Sequence, residues 1–262
     1  MKVLDKGYVK YIEHYGSDES IIEAARMSTD KGFLGWDAGP CPVCEGDGRD
    51  PDHEGAGWKL GCKSCDGTGH IAGDAKLLKY LWTKKHATPF EMAGMILEVK
   101  APIMVFREWM RHRSQSFNEM SARYVPLPDE NYMPSVERLL SGSKAAANTK
   151  NRQAQGSGKE LSESDAMFWL DELERLYNHA QRVYDLGLEL GVPKELARLP
   201  VPVGRYSKMR VAANLRNWLA FETLRISHNA QYEIRIYAQA ILQLLEERFP
   251  RTIQLFREGA YE

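Results

Sequence analysis

The pattern of hydrophobic and polar positions changes along the chain from strand-like to helical. Residues 3–15 and 92–100 are rich in β-branched, aromatic and aliphatic side chains, which indicates strands. Short apolar stripes at helical spacing predict helices at 21–25 and 77–82. Because strands come early and helices late, the pattern predicts an α+β fold with an antiparallel sheet, packed helices and a helical C-terminal half.

The second half of the chain has mostly helical spacing of its apolar residues. One long helix is predicted from about residue 164 until Gly191 and Pro193 end it. The remaining predicted elements are a short segment at 193–198 and helices at 211–226 and 230–249, the last one ended by Pro250.

Two segments interrupt this pattern. Residues 35–73 are rich in Gly, Asp and Pro and too poor in aliphatic residues to build an apolar core of their own. Residues 141–165 are also low in apolar content and are expected to form a mobile loop. We therefore expect one domain over residues 1–262, with a small knuckle inserted at 37–73 whose four cysteines predict that it binds zinc.

Composition and charge narrow the class of protein. The chain has 262 residues, of which 43% are hydrophobic and 27% charged, which is typical of a globular protein. Its formal net charge is −1, so no overall field attracts nucleic acid. There is no apolar run of membrane-spanning length and no signal-peptide pattern at the N-terminus, so a soluble, cytoplasmic protein without a membrane partner is expected.

All four cysteines lie in two Cys-x-x-Cys pairs. Cys41 and Cys44 are separated by seventeen residues from Cys62 and Cys65, a spacing that fits a four-thiolate zinc site. Two disulfides or free thiols are the alternative. The repeated Cys-x-x-Cys-x-Gly-x-Gly pattern resembles the zinc-binding repeats of the DnaJ chaperone family.

The most unusual stretch is 107–124, which holds four arginines, one histidine, two glutamates and three serines. Its start is predicted to end a helix that begins near Pro102, and residues 114–118 are expected to open into a polar loop. Arginines recognise phosphate and carboxylate groups through paired N–H groups, so the stretch is suited to bind anions. A solvated basic turn is the alternative.

Five motifs together resemble the flavin-dependent thymidylate synthases. They are Arg111-His112-Arg113-x-x-Ser116-x-Asn118-Glu119-x-Ser121-x-Arg123-Tyr124, His86-x-Thr88-Pro89-Phe90-Glu91, Ala197-Arg198, Asn214-x-Arg216 and Leu224-Arg225-Ile226. Departures from the family pattern are Glu108, where many members have Gln, and Ala220 and Asn229, where some have Asn and His.

The resemblance implies reductive methylation of dUMP to dTMP. Methylenetetrahydrofolate would donate the carbon, FAD would carry the hydride and NADPH would be the reductant. A second route to thymidylate uses a cysteine thiolate that adds to the uracil ring. Because all four thiols here lie in metal-like pairs, the residues themselves argue against that route.

The resemblance also implies roles for individual residues. Arg225 would activate the uracil ring and is the expected catalytic residue. The expected substrate-binding residues are Glu108, Arg111, Glu119, Ser121, Arg123, Arg198 and Arg225. The expected FAD-binding residues are Thr88, Arg111, His112, Arg113, Ser114, Glu119, Asn214 and Arg216, with His86 and Tyr124 bordering the flavin and the folate.

Family members are homotetramers whose sites draw on several subunits, so the same assembly is expected here. Two other functions remain open at this point. One is a zinc-ribbon module that binds nucleic acid through the arginines of 107–124, although the near-neutral charge and the acids in the knuckle disfavour it. The other is a flavoprotein oxidoreductase with a different substrate.

Overall fold

The computed structural model describes residues 1–51, 61–147 and 159–259, with the side chains of 145–147 left aside. The tip of the predicted knuckle and residues 148–158 of the predicted loop lie outside these ranges. The chain divides into two compact units. The first comprises Met1–Tyr11, Leu97–Val211 and Leu224–Ile241, and the second comprises Ile12–Ile96, Ala212–Thr223 and Leu242–Glu262.

Seven strands form two sheets in the described part of the chain. The strands are β1 (Lys2–Val3), β2 (Gly7–Tyr15), β3 (Gly39–Pro40), β4 (His70–Ile71), β5 (Gly94–Pro102), β6 (Ser116–Glu119) and β7 (Tyr206–Asn214). The larger sheet has the order β1-β2-β5-β7-β6, and β3 pairs with β4 in the smaller one. β1 and β2 are antiparallel, with Lys2 opposite Tyr8. The predicted α+β class with an antiparallel sheet is confirmed.

Helices make up most of the remaining structure. They are α1 (Asp18–Arg26), α2 (Asp74–Thr83), α3 (Ile103–Trp109), α4 (Val136–Ala147), α5 (Glu163–Glu189), α6 (Lys194–Ala197), α7 (Leu215–Arg225), α8 (Tyr232–Arg248) and α9 (Pro250–Gly259), with 3₁₀ turns at Met27–Thr29 and Thr88–Glu91. Side-chain caps fix two of the helix starts. Ser17 accepts the Ser20 N–H at 3.3 Å before α1, and Ser162 accepts the Asp165 N–H at 3.1 Å before α5.

Three predictions of local structure were wrong. Residues 211–214, predicted as helix, belong to β7, in which buried and exposed side chains alternate. Residues 116–118 of the loop expected at 114–118 belong to the edge strand β6. Residues 141–147, also expected in a loop, continue α4. Pro250 follows the end of α8 as predicted and also begins α9, because proline suits the first helical position, where no N–H is needed.

Each unit has its own buried core. In the first unit, Trp109 and Tyr237 are buried and meet edge to face at 6.3 Å between ring centroids. In the second unit, the ring of Trp82 contacts those of Phe90 and Phe256. Across the described ranges, no helix is both long and apolar enough to cross a membrane.

Candidate active site and metal centre

Helix α3 positions the start of the arginine-rich stretch. Val105, Phe106 and Trp109 are buried on its inner face, which leaves Glu108 partly exposed at its last turn. The helix ends at Trp109, and the Arg-His-Arg sequence lies in the turn that directly follows its C-terminal end.

Arg225, the last residue of α7, donates three hydrogen bonds to this turn. Its Nη1 donates to Oε2 of Glu108 at 2.9 Å and its Nη2 donates to the main-chain oxygen of Glu108 at 2.9 Å. Its Nε donates to Nε2 of His112 at 2.9 Å. The side chain of Arg225 is only 15% exposed, so the position of its guanidinium is well fixed. The structure thus brings three predicted site residues together.

His112 is neutral in this cluster at physiological pH. Burial, with a further contribution from the positive charge of Arg225, lowers the pKa of His112 to about 4. An arginine can only donate hydrogen bonds, so Nε2 of His112 must be the acceptor and the ring proton must be on Nδ1.

Gln115 lies in the same loop and was not among the predicted residues. Its Oε1 accepts the indole N–H of Trp109 at 2.9 Å, which fixes the orientation of the amide. The amide nitrogen is buried and has no hydrogen-bond partner among the described residues.

Glu119, predicted to bind both dUMP and FAD, lines an open groove of about 410 Å³ together with Glu98, Asn118, Met120, Lys208, Met209 and Arg210. Glu119 is half-buried, and this burial raises its pKa. Ser207, which precedes the groove residues of β7, is buried and its hydroxyl has no hydrogen-bond partner among the described residues.

The other predicted nucleotide residues of the first unit are more exposed. Arg123 forms an ion pair with Glu195 at 3.4 Å, and its main-chain N–H donates to Oγ of Ser121 at 3.3 Å. Arg198 donates from Nε to the main-chain oxygen of Glu195 at 3.3 Å. Arg123 and Arg198 therefore share one neighbour, at the start of α6. Arg111, Arg113, Ser114 and Tyr124 are also exposed.

The remaining predicted flavin residues belong to the second unit. Asn214 accepts the Asn217 N–H at 2.9 Å through Oδ1, so it caps the start of α7. Arg216 is exposed and pairs with Glu91 at 2.5 Å. His86 and Thr88 are exposed, and the His86 ring lies 5.7 Å from that of Tyr80.

The four cysteines form a compact buried cluster without disulfides. Their sulfur atoms all lie within 4.8 Å of one another, with 4.0 Å between Cys41 and Cys62 and 3.7 Å between Cys44 and Cys65. A tetrahedral zinc ion with Zn–S bonds of about 2.3 Å would hold sulfurs about 3.8 Å apart. The observed sulfur positions fit a four-thiolate zinc site.

The backbone around the cluster supports the same donor set. The N–H groups of Gly48 and Gly69 donate to the sulfurs of Cys44 and Cys65 at 3.3 and 3.2 Å. Both glycines have positive φ angles, 76° and 75°, which other residues rarely adopt. In both halves of the knuckle, a glycine with a positive φ angle directs its N–H group to a cysteine sulfur. This shared geometry explains the repeated glycines of the sequence pattern.

Sequence reasoning missed several residues that complete these groups. Gln115 and Ser207 are buried polar residues whose orphaned atoms only a structure reveals. Glu91 and Glu195 are the partners of predicted arginines. Glu91 was quoted in a motif and could have been singled out as a counter-charge, whereas Glu195 carried no signal.

Comparisons with known proteins agree with the signature. Residues 10–251 match the family model described as "Thymidylate synthase complementing protein" (Thy1). Two proteins named "Flavin-dependent thymidylate synthase" are each 33% identical to the chain. The one from Ehrlichia ruminantium (strain Gardel) aligns with 100% of this chain and 74% of its own length, and one from Thermus thermophilus aligns with 99% and 79%.

A solved structure shows the same similarity in three dimensions. It is the UMP/dUMP methylase PolB from Streptomyces cacaoi bound with 5-Br UMP, which superposes with a TM-score of 0.71 at 26% identity over 98% of this chain and 96% of that one. The predicted family resemblance is confirmed. The chain therefore belongs to the thymidylate synthase complementing protein family and is a thymidylate synthase enzyme.

Proposed function

We propose that this enzyme methylates dUMP reductively to dTMP with methylenetetrahydrofolate as carbon donor, FAD as hydride carrier and NADPH as reductant, and without a cysteine nucleophile. The observation that carries the proposal is the fixed guanidinium of Arg225, held between Glu108 and His112 in a family of thymidylate synthases. The names of the similar proteins, flavin-dependent thymidylate synthase and UMP/dUMP methylase, support the same substrate class.

Arg225 would activate the pyrimidine electrostatically. Three of its five N–H groups are used by Glu108 and His112, and the other two have no partner among the described residues. A largely buried cation beside the ring would stabilise the negative charge that develops when the ring N–H ionises. No covalent bond between enzyme and ring is needed for this activation.

The nucleotide phosphate requires cations that can reach it. Arg123 and Arg198 are exposed, and their contacts with Glu195 are long, at 3.4 and 3.3 Å. We propose that both arginines, with Arg111 and the hydroxyl of Ser121, bind the phosphate, and that Glu119 contacts the nucleoside. Glu108 does not repel the phosphate as an isolated acid would, because Arg225 neutralises it.

The predicted flavin residues present groups suited to an anionic dinucleotide. Arg111, Arg113 and Arg216 are exposed guanidinium groups, and Ser114 and Thr88 are exposed hydroxyls. Asn214 uses only its oxygen as the helix cap, so its NH₂ group can donate to a ligand. When bound, FAD would accept electrons from NADPH and supply the hydride that completes the methyl group. His112 would contact the FAD, and His86 and Tyr124 would border the flavin and the folate.

The cysteine cluster argues against a thiolate mechanism in this chain. All four thiols are buried in one group whose sulfur spacing fits zinc, and the sequence has no fifth cysteine. We propose that Cys41, Cys44, Cys62 and Cys65 bind one structural zinc ion. Because such sites bind metal through all ligands together, Cys62→Ser should lose stoichiometric zinc in elemental analysis, while Lys63→Ala, an exposed neighbour, should keep it. A Cys62→Ser protein with one zinc per chain would contradict the site.

The function is tested first by visible absorption. The purified protein, reconstituted with FAD, should show a flavin spectrum that NADPH bleaches without oxygen, and dUMP should change the rate of bleaching. Addition of methylenetetrahydrofolate should then yield dTMP. A protein that cannot hold FAD, or one that binds a DNA oligonucleotide more tightly than dUMP, would contradict the proposal and favour a nucleic-acid-binding role for 107–124.

A further inference from the structure

Glu108, Arg225 and His112 are hydrogen-bonded to one another. Separate roles as ligand contacts do not explain these mutual hydrogen bonds. We propose that His112 and Glu108 are positioning residues, which hold the guanidinium of Arg225 in one orientation toward the pyrimidine and act through it. This inference rests on the proposed function, because it concerns how the activating arginine is fixed.

The role of His112 follows from its hydrogen bond. Nε2 accepts from Nε of Arg225 at 2.9 Å, so an imidazolium, which can only donate, is incompatible with this geometry. His112 therefore serves as a neutral acceptor and not as a cation for an anionic ligand. Burial and the adjacent guanidinium both favour this neutral form.

Glu108 contributes two acceptors of different kinds. Its carboxylate receives Nη1, and its main-chain oxygen, in the last turn of α3, receives Nη2. Carbonyls in the last turn of a helix lack the usual partner within the helix and favour cations. The hydrogen bond to the main-chain oxygen fixes the Arg225 side chain at the end of α3. The bond to the carboxylate also partly neutralises the positive charge of Arg225.

With Nε and one N–H on each Nη engaged, rotation of the guanidinium would break several hydrogen bonds at once. The two remaining N–H groups are thus held in fixed directions before any substrate arrives. Preorganised donors of this kind stabilise developing charge without reorganisation during the reaction. An oxygen of the pyrimidine ring and its ionised nitrogen are the acceptors that two such N–H groups would fit.

The test compares two substitutions of His112. Gln can place an oxygen near the position of the imidazole Nε2 and accept from Arg225, whereas Phe keeps the ring shape but has no acceptor. We expect His112→Gln to stay within about 5-fold of wild-type kcat, and His112→Phe to lose about 30-fold or more, because misplacement of a catalytic group by about 1 Å costs rates of this order. Calorimetry should show FAD and dUMP dissociation constants changed by less than about 3-fold.

Glu108 provides a second, independent comparison. Glu108→Gln keeps an acceptor for Nη1 of Arg225, so kcat should stay within about 5-fold of the wild-type value. Glu108→Ala removes the acceptor, and kcat should fall about 10-fold. His14→Phe, the same substitution at an exposed histidine of the second unit, serves as the control and should behave like wild type.

Equal losses in His112→Gln and His112→Phe, or a His112→Phe protein that simply cannot retain FAD, would overturn the positioning role. A double-mutant cycle on stability separates this from failure of the proposed function. If His112 contacts Arg225 as described, His112→Phe should destabilise the protein less in an Arg225→Met background than alone, whatever the enzyme's substrate. Additive effects would overturn the inference, whereas coupling without dTMP formation would overturn the proposed function alone.

Discussion

At the scale of single residues, the buried polar groups without partners carry the most information. Glu222 on α7 is 0% exposed, and neither of its carboxylate oxygens has a hydrogen-bond partner among the described residues. Burial without a partner raises its pKa well above the ordinary value, so a proton is retained in the folded state.

This makes folding stability depend on pH. The pKa of Glu222 is higher in the folded than in the unfolded protein. The stability that its protonated form contributes is therefore fully present below about pH 4.3 and is lost as pH rises through the folded pKa. Glu222→Gln keeps the shape of the side chain but does not titrate. The unfolding free energy of the variant minus that of wild type should therefore be larger at pH 8 than at pH 5. Denaturant unfolding of both proteins at the two pH values checks this. An equal difference at both would contradict the buried neutral acid.

Arg225 is the residue on which the proposed chemistry depends most. Arg225→Ala should fold and retain FAD, since the flavin contacts are assigned to other residues, but should lose dTMP formation by about 10²-fold or more, as when a preorganised charge donor is removed. Arg257→Ala on α9, an exposed arginine paired with Glu246, is the matched control. Near-normal turnover of Arg225→Ala would remove the assigned role.

At the scale of elements, much of the fold followed from local patterns, and the exceptions have physical causes. Strand β5 and helix α5 have clear period-2 and helical patterns and were anticipated. The error at 211–214 arose because Ala212 and Ala213 suit a helix locally, but pairing within the sheet decides their conformation. The edge strand β6 is too short and polar to reveal itself in sequence.

The sequence indicated which residues to expect at the candidate site, but not how they are arranged. His112 and Arg225 belong to the family motifs, and Glu108 was noted as a departure from the family pattern, yet their mutual hydrogen bonds depend on α3 ending at Trp109 and on α7 ending at Arg225. Neither end has a strong sequence signal. Orphaned groups such as the Gln115 amide nitrogen depend on packing around them, which no local pattern encodes.

The knuckle is attached to its unit by a buried acid. Asp74 at the start of α2 is 0% exposed, pairs with Arg26 of α1, and accepts the Leu34 N–H at 2.8 Å. Asp74→Asn should lower the unfolding free energy by about 3 kcal/mol, because a largely buried guanidinium loses its counter-charge. Asp66→Asn removes the charge of an 81% exposed carboxylate that pairs with Lys31, so it should change the unfolding free energy by less than about 0.5 kcal/mol in the same denaturant titration. Equal losses of unfolding free energy in the two variants would show that the buried Asp74–Arg26 pair stabilises the protein no more than the Asp66–Lys31 pair does.

At the scale of the whole molecule, helix α5 has more apolar surface than the described residues of the chain cover. Five exposed apolar residues of the helix, together with Leu190 directly after its end, fall within an arc of about 100° at helical spacing, whereas the exposed Met167 lies outside this arc. The residues within the arc are Phe168, Trp169, Leu176, Val183, Leu186 and Leu190, each between 42% and 72% exposed. A stripe of this kind on a helix indicates burial against another molecule, and a second copy of the chain is the partner that the homotetramer expected from the family resemblance would supply.

We therefore expect a particle of four 29.8 kDa chains by light scattering. The double variant with Leu186→Asp and Leu190→Asp should dissociate the tetramer, because burying unpaired carboxylates costs more free energy than an apolar contact contributes. Asn178→Asp adds a charge on another side of the same helix and should leave the tetramer intact. Since the family resemblance implies sites that draw on several subunits, dissociation should also abolish dTMP formation. A monomer with full activity would contradict both the assembly and the shared site, whereas an inactive wild-type tetramer would leave the interface standing and place the error in the proposed chemistry.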